Sequence, residues 1–184
     1  MILRIFFIIS PRIPLNTPEF KSDPMILKIL DILRIVIVCA TTFFGYQIGF
    51  AHGYNPEAQL HFMIPLIIVA IAGFSGFEGL VFAKKSAEIK GYEVGSNYQR
   101  QSDIALLSYA VVAVIVYFSN WGIRAELTIF FACIFFFFFA GVNHAVDAVR
   151  RKNYKWQNIN RPFITLLLIA GMIYPVVMAL KNLP

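Results

Sequence analysis

Charged side chains are scarce in this chain of 184 residues: they make up 14% of it, whereas 59% of the residues are hydrophobic and the mean hydropathy is +0.70. Soluble domains carry roughly one quarter charged residues. A water-soluble fold of this size has no core large enough to hide so much apolar surface. The composition therefore excludes a soluble globular domain and predicts an integral membrane protein.

Cysteine is also scarce, and no two cysteines have the Cys-x-x-Cys spacing. Cys39 and Cys133 are predicted to lie at different depths in the membrane, so we expect no disulfide between them. The chain has no phosphate-binding glycine loop, no Ser/His/Asp set and no His-Glu-x-x-His motif. These absences exclude thiol–disulfide redox chemistry and weigh against a catalytic function.

Histidine is limited to three residues. A haem held between helices needs two histidines at one depth on facing spans. His144 has no partner at its level, because His52 and His61 flank one short loop, so a bis-histidine haem is excluded. A metal site at that loop stays open as an alternative, with His52, Glu57 and His61 as its ligands. We predict no cofactor and no metal.

Long apolar runs are what the chain does contain, and they predict five spans, at 35–51, 62–83, 104–121, 127–146 and 163–180. At 1.5 Å per residue, each covers most or all of a hydrocarbon layer about 30 Å thick. The predicted fold is an all-α, polytopic membrane helix bundle with five transmembrane helices. Residues 25–184 form one transmembrane domain, and residues 1–24, which contain four prolines, a predicted N-terminal cytoplasmic tail.

The basic residues alternate with these runs. Fourteen of the 16 Lys and Arg residues fall in three segments, namely Arg4, Arg12, Lys21, Lys28 and Arg34; Lys84, Lys85, Lys90 and Arg100; and Arg150, Arg151, Lys152, Lys155 and Arg161. Arg124 and Lys181 are the remaining two. Basic flanks are retained in the cytoplasm, so this distribution predicts the N-terminus inside and the C-terminus outside. It also explains the pI of 9.4 without nucleic acid, through anionic lipid headgroups.

Glu78 is the first candidate site residue. It lies near the cytoplasmic end of the second predicted span, where an unpaired carboxylate is expensive. The small residues around it predict a face that packs closely on another helix, namely Gly73, Ser75, Gly76 and Gly79. Glu78 is therefore expected to point into the bundle, either as a structural carboxyl or as a proton acceptor or ligand contact.

The end of the fourth predicted span supplies a second candidate group. Asn143, His144 and Asp147 are spaced to interact along one side of a helix, and Gly141 and Ala145 are predicted to let another helix approach. Together with Arg34, Glu78 and Asp103, these polar residues fall at one membrane level. They predict a shared polar site or ion-pair network, although snorkelling explains Arg34, Asp103 and Asp147 individually.

From about Gly73 to Pro175 the chain resembles an uncharacterised bacterial family of small four-helix integral membrane proteins that is loosely DoxX-like. The similarity is carried by Glu78, by Tyr98-Gln99, by Gly141 to His144, and by Asn158, Asn160 and Pro162. The family pattern has His where Glu78 or Gly79 falls and Glu near Gln101. The resemblance implies a four-helix core plus one N-terminal span in the bacterial inner membrane, and no assigned reaction.

Three functions follow from these features. The first is a non-catalytic accessory or scaffold subunit that packs against a larger membrane complex, with a membrane-protein partner or a second copy of the chain. The second is a binder or modifier of a small lipophilic molecule, a quinone or lipid, through Glu78 and His144. A transporter ranks last, because the sequence shows no inverted repeat and no pair of similarly broken helices.

Overall fold

The computed structural model describes residues 24–91, 93–154 and 156–183, and within these ranges the chain is helical, without a strand beyond one isolated bridge. The helices are α1 Pro24–Phe50, α2 Pro56–Ile68, a π-helical segment Val69–Gly73, α3 Phe74–Val81, α4 Ala83–Lys90, α5 Asn97–Phe118, α6 Ile123–Arg150 and α7 Trp156–Asn182. The all-α fold is thus confirmed. The predicted cytoplasmic tail, apart from Pro24, lies outside the described residues.

Among the residues that the structure describes, four helices are long and apolar enough to cross a membrane: Pro56–Val81, Asn97–Phe118, Ile123–Arg150 and Arg161–Asn182. They confirm four of the five predicted spans. Within the described ranges α1 is not among these candidates. Its first half carries Lys28, Asp31 and Arg34, so its uncharged part, 35–50, is only about 24 Å long at 1.5 Å per residue.

The second span, Pro56–Val81, is the central helix and consists of α2, the π-helical segment and α3. Of its most apolar stretch 56% is buried within the bundle, against 22–28% for the other three spans. Helices α1, α5, α6 and α7 pack around it. Its side chains Leu60, Met63, Ile64, Ile67 and Ile68 form the middle of the hydrophobic core, and they are almost fully buried.

Helix α1 lies antiparallel to the central helix. Gly45 contacts the side chain of Met63, and Gly49 lies so close to Gln59 that a Cβ there would be 2.6 Å from the amide oxygen. Glycines four residues apart let two helix backbones approach closely. At the other end of α1, Arg34 reaches Glu78. The contact between α1 and the central helix therefore extends over most of the length of both.

Two helix boundaries differ from the sequence prediction. Residues 84–102 were expected to form a polar loop, but α4 occupies the first part, because Ala83, Lys84, Lys85 and Ala87 are good helix formers and Gly91 ends the helix at φ 72°. The last predicted span begins at 163, but α7 begins at Trp156 and contains Pro162. One turn of α7 therefore lacks a backbone N–H donor.

Candidate functional site

Glu78 is almost fully buried, with 1% of its surface exposed, and both of its carboxylate oxygens accept hydrogen bonds. Oε1 accepts from the Ser86 hydroxyl at 2.7 Å, and Oε2 accepts from Arg34 Nη2 at 3.2 Å. Arg34 in turn donates through Nη1 to Asp31 at 2.7 Å. A single carboxylate thus connects α1, α3 and α4. Without a cation and donors of this kind, an ionised carboxylate at this depth would be strongly destabilising.

A break in the helix at Phe82 creates this arrangement. Ser86 follows Glu78 by eight residues, which in a continuous helix would place the two about 12 Å apart along the axis. Phe82 has φ −113° and ψ 29°, outside the helical region, so α3 ends and α4 starts in a new direction. This turn brings the Ser86 hydroxyl back onto the carboxylate.

Helix α5 packs directly against the small residues around Glu78. A Cβ on Gly76 would lie 2.6 Å from the carbonyl oxygen of Asp103 and 2.7 Å from the Leu107 amide, and a Cβ on Gly79 would overlap the Asp103 carboxyl group. Gly73 meets Ala110 in the same way, at 3.1 Å. Asp103 is itself buried, with 9% exposed, so two acidic side chains lie where α3 packs on the first turns of α5.

The second predicted group, Asn143, His144 and Asp147, is not joined to Glu78 by the contacts described here. His144 Nε2 contacts Arg161 on α7, and because a guanidinium only donates, the imidazole accepts at Nε2 and carries its hydrogen on Nδ1. Asp147 accepts from Arg151 one turn later, at 2.8 Å. Asn143 is exposed. The structure therefore joins Arg34 to Glu78 but directs His144 and Asp147 to other partners.

The helix-packing residues predicted at this end also separate. Gly141 is buried and faces α7, where a Cβ would lie 3.4 Å from Pro162 Cα. Ala145 is exposed, and Ser75 is half-buried. The close approach of α6 and α7 therefore takes place at Gly141, one helical turn before Ala145.

A groove of about 510 Å³ lies between α5 and α6. Its walls are mostly apolar and aromatic, and they consist of Ser102, Tyr109, Ala132, Phe135, Phe136, Phe139, Ala140 and Asn143. Of the predicted ligand residues it includes Asn143 but neither Glu78 nor His144. The polar groups are Ser102, near the start of α5, and Asn143, near the end of α6, so the groove has an apolar body and a polar end.

Sequence reasoning missed two parts of this arrangement. Ser86 was assigned to a loop, and no local pattern indicates that it would return to Glu78. Gly45 and Gly49 were detectable, since their four-residue spacing is a known helix-packing signal. The metal alternative at His52, Glu57 and His61 receives no support, because within 24–91, 93–154 and 156–183 no three His, Cys, Asp or Glu side chains come together as metal ligands.

The model of a family of unknown function, DUF6790, matches residues 32–182. The chain belongs to this family. The match begins within α1 and ends at the last residue of α7, so it includes all four candidate spans. Comparison with curated proteins gives no match, and neither does comparison with solved structures. The resemblance to an uncharacterised family is thus confirmed, while the DoxX-like character stays a prediction.

Proposed function

We propose that this DUF6790 protein is a non-catalytic accessory or scaffold subunit that packs against a larger membrane complex. The observation that carries the proposal is the bonding of Glu78. Its two oxygens are engaged by Arg34 and Ser86, and the carboxylate is closed off from solvent. A carboxylate held in this way fixes the relative positions of three helices.

The other polar contacts at the same end also join elements. Arg161 links α7 to His144 of α6, and Asn153 donates to the Gly91 carbonyl at 3.1 Å, which links the α6–α7 connection to the end of α4. These contacts bridge segments far apart in sequence. Such a pattern suits a rigid subunit whose surface is presented to a partner.

The proposal includes a topology: five crossings of a bacterial inner membrane, with the N-terminus inside and the C-terminus outside. The alternating basic segments support the orientation. The position of α1 supports the fifth crossing. Between the Gly49–Gln59 contact and the Arg34–Glu78 contact, α1 follows the central helix for about 22 Å at 1.5 Å per residue.

Copurification tests the subunit function. The full chain, tagged and extracted from its native membrane in mild detergent, is expected to run as a complex larger than itself with a protein partner in fixed stoichiometry. The Lys28→Leu variant serves as the control, because Lys28 is exposed on α1 and outside the contacts described above. A monodisperse, partner-free protein in both samples would contradict the proposal.

The groove between α5 and α6 favours a second candidate, a binder of a small lipophilic molecule such as a quinone or lipid. Its volume of about 510 Å³ lies within the range of roughly 300–1,000 Å³ typical of ligand sites. The groove has aromatic walls and one polar end, which suits a molecule with an apolar tail and a polar head. In this candidate the polar ligand contacts are Ser102 and Asn143 of the groove, and not Glu78 and His144, which the sequence predicted.

A groove-filling variant separates the two candidates. Ala140→Phe places a ring in the groove, and Leu167→Phe adds one on an exposed face of α7 as the matched control. If the groove binds a lipophilic molecule, solvent extracts of wild type and Leu167→Phe contain it in stoichiometric amount, and extracts of Ala140→Phe do not. Equal lipid content in all three proteins would remove the second candidate.

A further inference from the structure

Another buried carboxylate, Glu126, lies beside His61 at the opposite end of the central helix, and His61 is about 25 Å from Glu78 along the helix axis at 1.5 Å per residue. Glu126, in the first turn of α6, is 2% exposed, and its Oε1 lies 2.5 Å from Nδ1 of His61 on α2. The His61 side chain is 45% exposed and stacks on the Tyr117 ring of α5 at 4.7 Å. Three helices thus meet at one imidazole–carboxylate pair.

The chemistry of the pair fixes which ring atom exchanges a proton. An ionised carboxylate only accepts hydrogen bonds, so Nδ1 of His61 carries the hydrogen that faces Glu126. The ring can then gain or lose a proton only at Nε2. The separation of the two atoms is that of an ion pair between the imidazole and the carboxylate. Its other oxygen, Oε2, is buried and has no hydrogen-bond partner among the described residues.

We propose that His61 and Glu126 form a proton-binding site that is separate from Glu78 and open to water at the start of α2 and α6. A proton from water binds at Nε2 and makes the pair a cation and an anion of net charge zero. Its release leaves a neutral imidazole beside the Glu126 anion, with the Nδ1–H bond unchanged. The inference does not depend on the proposed subunit function.

The surroundings show which other charges act on the pair. On α2, Glu57 precedes His61 by one helical turn; on α6, Arg124 precedes Glu126; and on α7, Lys181 lies in the last turn. All three are exposed, so water screens them. On α5, Tyr117 contributes the stacked ring. Glu126 is the buried charge of this group and therefore the one that orients His61.

Nitrogen NMR of the full chain labelled with ¹⁵N-histidine tests the site, with the His61 signals assigned through His61→Gln. In wild type, Nδ1 is expected to keep the chemical shift of a protonated nitrogen between about pH 5 and pH 8, the range in which histidine changes charge, while Nε2 alone shifts. In Glu126→Leu the fixed tautomer is expected to be lost. In Glu57→Leu, the matched control, it is retained.

Two results would overturn the inference. One is a wild-type spectrum in which Nδ1 loses its proton as the pH rises, and this measurement needs no variant to fold. The other is a His61 tautomer that is the same in wild type and in Glu126→Leu. A third spectrum, in which neither nitrogen of His61 shifts over the whole range, would also contradict it, because the ring would then not exchange a proton with water.

Discussion

Arg34 donates a hydrogen bond to Glu78, 44 residues later in the sequence, and this contact joins the first helix to the last turns of the central helix. The guanidinium also bonds Asp31 on its own helix, which orients it toward α3. The side chain of Arg34 is 19% exposed and that of Glu78 is 2% exposed, so water screens the pair only weakly. Together with the packing at Gly45 and Gly49, this contact holds α1 on the central helix.

Removing Arg34 should destabilise the bundle strongly. Arg34→Leu leaves the Glu78 carboxylate buried without its cation, which costs about 3–5 kcal/mol when one partner of a buried ion pair is lost. Thermal unfolding in detergent measures the change. Lys28→Leu, which removes an exposed cation from the same helix, should change stability little. Equal unfolding temperatures for the two variants would show that the ion pair contributes nothing.

Gly76 should be intolerant of a methyl group. Its Cβ would meet backbone atoms of α5, which cannot move aside as a flexible side chain can, so Gly76→Ala should cost roughly 1–3 kcal/mol. Gly171 is the matched control, because a Cβ there has no atom within 4 Å. Gly171→Ala should be neutral or stabilising by about 0.5–1 kcal/mol. Similar losses at both positions would contradict the packing of α3 on α5.

The N-terminus should lie in the cytoplasm. With four crossings or with five, the basic connections between the last four spans place the C-terminus outside, so only the N-terminus distinguishes the two topologies. A reporter fused before Met1 is expected to be active in the cytoplasm, with a fusion after Pro184 active outside. An external N-terminal reporter, together with an external C-terminal one, would mean that α1 does not cross.

Tyr54, in the connection between α1 and α2, should ionise at a higher pH than an ordinary tyrosine. Burial and the neighbouring Tyr174 and Tyr46 raise its pKa from 10.0 to about 12. Because the folded protein holds this proton longer than the unfolded chain, the stabilisation is complete below pH 10 and is lost as the pH rises through 12. The difference in tyrosinate absorbance between wild type and Tyr54→Phe, followed as the pH is raised, measures the titration of Tyr54. A midpoint near the ordinary value of about 10 would contradict the buried environment.

The sequence predicts the helical class, four of the spans and the burial of Glu78, because apolar length and the cost of a buried charge are local properties. It does not predict the partners of Glu78. Depth alone placed His144 beside it, but which helices are neighbours depends on packing at Gly76 and Gly79. The π-helical segment Val69–Gly73 and the break at Phe82 also interrupt the 3.6-residue period, so Ser86 could not be assigned from spacing.

We infer that Glu78 is an ion-paired structural carboxylate that holds three helices together. Infrared absorption of the wild-type protein at neutral pH, with the spectrum of Glu78→Gln subtracted, isolates this one group. The ion pair with Arg34 predicts the band of an ionised carboxylate in the difference, and a folded, equally abundant Gln variant. A carbonyl band of a protonated carboxylic acid in its place would contradict the account and make Glu78 a proton site.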